Sequence, residues 1–189
     1  MSCSIALLVA FCLFTVDDHC GNFPEKRFDE SENTKWTNRY VNFVYRYSVK
    51  IPKGLSGYSD LPPSPQHGFG IVLSWEPRAY IYFDGSYNSS GARNTRELEQ
   101  EHLKWLAEES SQITGILHHK SRLGLVSARR YVARHTCRKL QGTFIEDETI
   151  MLHKGIVYTA SLLTSPDRYS RDKAVLDQMM RSWRLAHRE

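Results

Sequence analysis

Histidines, carboxylates and cysteines are the residues of this 189-residue chain that could do chemistry, and their spacing decides which chemistry is open to them. A zinc site needs three or four ligands converging at about 2 Å, commonly from short repeats such as H-x-x-x-H. No such repeat is present. His118 and His119 are adjacent, which on a strand would aim them at opposite faces, and His135 and His153 stand apart. Glu97, Glu99, Glu101 and His102 fall in one helical stretch, a list that a charged solvent face also produces. There is no G-x-S-x-G, and Cys137 shares a strand face with His135 without a nucleophile signature around it. With no C-x-x-C, thiol redox chemistry has no support either. The expectation is a protein that is not an enzyme and needs no metal or cofactor.

Two stretches suit binding better. Arg130, Arg134 and Arg138 alternate along one face of a predicted strand, with Arg129 and Lys139 beside them. Residues i and i+4 of a strand lie about 13 Å apart. The three guanidinium groups would therefore form a row able to grip the carboxylates of an acidic protein surface. A solvated, aggregation-resistant sheet edge would carry the same residues. The second stretch is the loop Pro62 to Gly70, in which Gly68 and Gly70 flank Phe69. Backbone there could approach a small molecule or metal closely, with His67 and Tyr87 beside it. A lone G-x-G also fits turns between short strands, and it lacks the third glycine and the βαβ setting of a nucleotide site.

The elements that must position these groups follow from pattern. Thr143 to His153 and Ile156 to Thr164 read as strands joined at Lys154-Gly155, where a glycine suits a tight turn. From Arg171 onward, Val175, Leu176, Met179, Met180 and Trp183 fall on one helical face that a sheet would cover. Earlier, Tyr40 to Ile51 reads as one strand with Tyr45, Tyr47, Val49 and Ile51 on its buried side. Phe69 to Trp75 and Ala79 to Phe83 are further strands, after an irregular Pro62-Pro63-Ser64-Pro65 stretch. A helix starts at Asn94 or Thr95, where Asn94 and Glu97 have capping-box spacing, and ends near Ser111, with Leu98, Trp105 and Leu106 on one face. Ile113 to His119 suits helix or strand, and Leu123 to Val126 and Ala128 to Cys137 read as β structure. Strands in runs with two separated helices give α+β: an antiparallel sheet flanked by helices.

The bulk composition fits one such domain. Hydrophobic residues make up 41% and charged residues 24%, so a core of ordinary size is available. Ile5 to Val16 is an apolar run of signal-peptide length, too short for a comfortable membrane span. A core strand or helix is the lesser alternative; export is the expectation, and with it a periplasmic or secreted location. The organisation read is a signal-like segment over 1–20, a polar tether over 21–35 and a single domain over 36–189. Loss of residues 1–20, which hold Asp17 and Asp18 and no Lys or Arg, moves the net charge from +4 to +6. That mild basicity suits an acidic partner or proximity to an anionic membrane, and it is too diffuse for nucleic acid. Cys20 and Cys137 would survive processing, either as a disulfide or as two thiols.

The strand entering Ser48-Val-Lys-Ile-Pro-Lys-Gly54, the long helix, the antiparallel strands after it and the final hairpin and helix through Met179-Met-Arg-Ser-Trp183 resemble the PsbP-like superfamily. The likeness runs from about Tyr40 to Leu185 and is a pattern of elements. It implies an α/β/α sandwich with a binding or assembly role, and it brings no catalytic residues with it. The combined expectation is an exported binding protein, of an immunity or accessory kind, working through protein–protein contacts.

Overall fold

The computed structural model describes residues 34–59, 68–138 and 140–185. In chain order the elements are β1 (Lys35–Trp36), β2 (Arg39–Asn42), β3 (Tyr47–Lys50), β4 (Gly57–Ser59), β5 (Phe69–Trp75), β6 (Arg78–Tyr87), α1 (Thr95–Glu109), β7 (Ser110–Leu123), β8 (Val126–Cys137), β9 (Gly142–His153), β10 (Ile156–Thr164), α2 (Tyr169–Ser182) and β11 (Arg184–Leu185). The fold is α+β. Eight antiparallel strands form one sheet in the order β1-β4-β5-β6-β10-β9-β8-β7, and β11-β3-β2 form a second, small sheet.

The β9–β10 hairpin closes as the sequence suggests. Lys154 and Gly155 both take positive φ, 50° and 77°, the pair of left-handed residues whose twist matches the flanking strands. Its register runs from Ile156↔His153 to Thr164↔Ile145 without a break. Helix α2 begins two residues earlier than its apolar pattern suggests and lays Leu176, Met179, Met180 and Trp183 into the core. Trp183 is 1% exposed, stacked on Tyr47 at 6.2 Å and edge-on to Tyr158 at 5.3 Å. A second apolar cluster joins Leu98 and Leu106 of α1 to Tyr131, Ala133 and Ile150.

Two expectations change and one open alternative is resolved. Tyr40 to Ile51 is not one strand but a hairpin, β2 and β3, turning over residues 43–46. The Asn42 side chain accepts the Tyr45 N–H at 2.8 Å and Arg46 takes φ 54°, so an asparagine inside a β-rich run acts as a turn signal. The alternation of Tyr45, Tyr47, Val49 and Ile51 still holds, and all four are buried. Gly124, φ 56°, makes 124–125 a turn between β7 and β8 where β structure is expected. The ambiguous Ile113 to His119 lies wholly in β7, which starts directly where α1 ends.

The α1 start has the expected cap. The Asn94 side chain accepts N–H bonds from Arg96 at 3.0 Å and Glu97 at 3.1 Å, while the Glu97 carboxylate reaches back to the Arg93 N–H at 2.8 Å. Its inward face differs from expectation, because it buries Glu99 and His102 along with Leu98 and Leu106.

Replacing Trp183 removes a ring that the small sheet, β10 and α2 all touch. Trp183→Ala is expected to lower stability by roughly 3–5 kcal/mol in urea unfolding. A loss below about 1 kcal/mol would show that α2 does not cap the core in this way.

Candidate interaction surface

Strand β8 carries the arginines read from the sequence, and the structure gives the three different tasks. Arg130 is spent internally. It reaches Asp147 through Nε at 2.5 Å and Nη2 at 2.6 Å, and Asp177 of α2 through Nη1 at 2.7 Å. Burial alone would lower its pKa, but the bonds to Asp147 and Asp177 outweigh this and raise it. Tyr169 Oη donates to the same Asp147 at 2.8 Å, so this cluster locks α2 to the sheet. Arg138 is exposed, and its Nε donates to the Ser110 carbonyl at 3.0 Å, clasping the start of β7. Arg134 alone stands exposed in mid-strand, opposite Gly115 of β7 and Ile145 of β9. Lys139 lies outside the described residues.

The glycine loop is explained by packing. A Cβ on Gly68 would fall 1.9 Å from the Phe83 carbonyl oxygen, and one on Gly70 would fall 1.7 Å from the Tyr80 hydroxyl. Phe69 between them is fully buried, stacked on Tyr40 at 4.2 Å. The space above both glycines is therefore filled by the protein's own atoms. Tyr87 sits five residues along β6 from Tyr82, the register partner of Gly70, and is not brought to the loop. His67 lies outside the described residues. So does Cys20; Cys137 is a buried thiol whose sulfur accepts the Leu140 N–H at 3.4 Å.

Beneath α1 lies a polar network that gathers Glu99, His102 and His135, named above as separate candidates, around carboxyl groups of β9 that no reading of the sequence singled out. Glu146 and Glu148 alternate with Asp147 along β9, and all three are buried. His102 Nδ1 meets Glu148 Oε1 at 2.9 Å, and Tyr131 Oη bonds both Glu148 Oε2 and, at 3.0 Å, Glu146 Oε1. Glu146 Oε2 has no hydrogen-bond partner and lies 3.6 Å from His135 Nε2, while His135 Nδ1 shares a bond of 2.9 Å with Ser110 Oγ. Burial, with the charge of Glu148 adding to it, pushes the Glu146 pKa up to about 8. Burial pushes His135 down to about 4. At neutral pH Glu146 therefore holds its proton and His135 is uncharged. A phenol has one proton to give, so the consistent pattern is Glu146 donating to Tyr131 and Tyr131 donating to Glu148. The sequence signal was E-D-E inside an apolar strand: three successive carboxylates cannot all face solvent when side chains alternate. Towards solvent the network gives way to Glu99, which pairs with Arg129 and lies 3.2 Å from His118 Nδ1.

The open surface is β7. It ends the eight-stranded sheet, and its outer edge pairs with no strand among the described residues. Most of its side chains are exposed, including Leu117 at 62% and Ile116 at 36%. The strand holds Lys120, Arg122, His118 and His119 and no Asp or Glu. Natural edges are usually blunted by bulges and charges. Here the irregularities fall only between Ser110 and Gln112 and between Ile113 and Gly115, so Gly115–Leu123 runs straight.

No family model matches this chain, and no curated protein matches it in sequence. Among solved structures it is similar to cyanobacterial PsbP (CyanoP) from Synechocystis, with a TM-score of 0.51 at 14% identity over 78% of this chain and 91% of that one. A protein of unknown function from Pseudomonas aeruginosa, described as a putative regulator, aligns with a TM-score of 0.49 at 12% identity over 76% of this chain and 99% of that one. The chain has a PsbP-like fold.

The buried pair predicts a pH dependence with a definite sign. The raised pKa of Glu146 gives stability that is full below about 4.5 and lost as pH rises through about 8. The lowered pKa of His135 gives stability that is full above 6.5 and lost as pH falls through about 4. Wild type should therefore weaken between neutral pH and pH 9. Glu146→Gln, which keeps the shape of the protonated acid, should be more stable than wild type at pH 9 by roughly 1–3 kcal/mol, the cost of a poorly satisfied buried group. Parallel alkaline losses in the two proteins, measured by urea unfolding, would place the titrating group elsewhere.

Proposed function

We propose that the protein is an exported, non-enzymatic binding protein that takes an extended, acidic segment of a protein partner along the β7 edge. The observation that carries this reading is a fourteen-residue edge strand with exposed apolar residues at its middle and no carboxylate of its own. Strand addition to such an edge gets affinity from main-chain hydrogen bonds and selectivity from alternate side chains. Leu117 lies opposite Val132, and Arg134 lies opposite Gly115, so an apolar contact and a cation sit near each other at the rim. Carboxylates on the incoming segment would meet Arg134, His119 and Lys120. The apolar run Ile5 to Val16, outside the described residues, supports export, and a role as an immunity or accessory protein of the cell envelope fits a surface made for one partner.

An α/β/α sandwich is the layering this reading uses. It is supported by the alternation along β9, where Glu148 bonds His102 of α1 while Thr149 Oγ1 contacts Met180 of α2 at 3.7 Å.

The test is parallel affinity capture from envelope extract with wild type, Leu117→Asp and Arg134→Glu. A partner retained stoichiometrically by wild type should bind each variant at least about tenfold more weakly, or 1.4 kcal/mol, with unchanged melting temperatures. Equal retention by all three would remove the β7 surface from consideration. Concentration-dependent self-association lost in the same variants would identify a second copy as the occupant instead.

A further inference from the structure

Six large apolar side chains are strongly exposed among the described residues: Phe43, Val44, Tyr87, Ile116, Leu117 and Leu125. Ile116 and Leu117 belong to β7. The other four, at 83%, 67%, 69% and 80% exposure for Phe43, Val44, Tyr87 and Leu125, all lie on turns or strand ends at one end of the sheet. Pairing establishes this. Tyr87 is opposite Ile156, which is opposite His153, and β7 and β8 close at Leu123↔Val126 around the turn holding Leu125. The 43–46 turn is fastened to the same end, because the Tyr45 carbonyl accepts the Tyr158 hydroxyl at 2.8 Å and its ring meets Tyr87 at 5.5 Å. Single exposed apolar residues are ordinary, but four gathered at one end are not explained by chance placement.

The turn that presents Phe43 and Val44 is held from behind. Asn42 Nδ2 donates to Tyr40 Oη at 3.0 Å while its oxygen closes the turn on Tyr45. Tight turns favour Gly, Asn, Asp and Ser, so a Phe-Val pair at the outermost positions is not what the turn itself requires.

The exposed charge at this end is positive. Arg46, Arg93, Arg122 and Lys154 are exposed at this end, where Asp84 is half-buried beside Tyr45 and Tyr87 and Glu97 is bound to Arg93. At the opposite end exposed Glu76, Glu108 and Asp167 are interspersed with exposed Arg78, Arg138 and Arg171.

We propose that this end docks on an anionic lipid surface, with Phe43 and Val44 entering the headgroup region, Tyr87 and Leu125 at its border, and Arg46 and Lys154 against the phosphates. Apolar groups rimmed by cations are the combination that interfacial binding uses, and the cationic part is weakened by salt. Phe43, Val44, Tyr87, Arg46 and Lys154 all lie off β7, which meets this surface only at Arg122 and the turn holding Leu125, so the proposal stands without the reading above.

The experiment is co-sedimentation of the full chain with vesicles of phosphatidylcholine alone and of phosphatidylcholine mixed with phosphatidylglycerol. Expected are preference for the anionic vesicles, weakening by salt, and at least about a tenfold loss of partitioning in the Phe43→Ser/Val44→Ser double variant. Both residues are exposed, so the variant should keep the wild-type melting temperature. As a positional check, a Phe43→Trp variant should show added fluorescence quenching by bromine-labelled acyl chains. No preference between vesicles overturns the proposal. So does equal binding by the double variant, which would assign any membrane affinity to Ile5–Val16, and so does the absence of added quenching.

Discussion

Strand β9 runs through the middle of the molecule with both faces buried, and at its centre stand three carboxyl groups in a row. An uncompensated buried charge is among the costliest things a fold can contain. Everything that touches this strand can be understood as a response to that constraint. Asp147 is met by Arg130 and Tyr169. Glu148 receives His102 and Tyr131. Glu146 keeps its proton, because burial beside Glu148 leaves the neutral form cheaper than the ion. Each solution recruits a different element: α2 through Arg130 and Asp177 on one set of contacts, α1 through His102 on the other. The helices are therefore positioned by polar partners as well as by apolar area.

Such an arrangement specifies more than it stabilises. A buried ion pair is often no better in free energy than apolar residues of the same volume, while removal of one partner is severe. Sliding β9 by one residue would exchange the partners of Glu146, Asp147 and Glu148 between two chemically different surroundings. The carboxyl row thus makes register errors expensive in a hairpin whose Ile, Leu and Val content alone would tolerate them.

Much of the architecture was legible in residue order. The Lys154-Gly155 hairpin, the Met179-Met180-Trp183 face and the Asn94 cap rest on local rules, and local rules hold when the neighbours agree with them. The misses share a cause. Asn42 ended a strand because its side chain found a backbone N–H, a preference a run of β-branched and aromatic neighbours concealed. Glu99 and His102 looked like solvent residues because helix periodicity sees polarity, not pairing; only the fold brings Arg129 and Glu148 within reach. Arg130, Arg134 and Arg138 were correctly placed on one strand face, but sequence alone could not show that Asp177 of a distant helix would claim the first and the Ser110 carbonyl the third. Ile116 and Leu117 were invisible as surface because their exposure depends on β7 being last in the sheet.

The irregularities near the start of β7 have a consequence for whatever lies along it. With bulges before Gly115, the straight template extends for about nine residues, to Leu123, or roughly 30 Å at the rise of an extended chain. A longer companion would have to bend or detach beyond that point. For any strand added there, the edge would act as a ruler, favouring short extended stretches over long ones whatever their side chains.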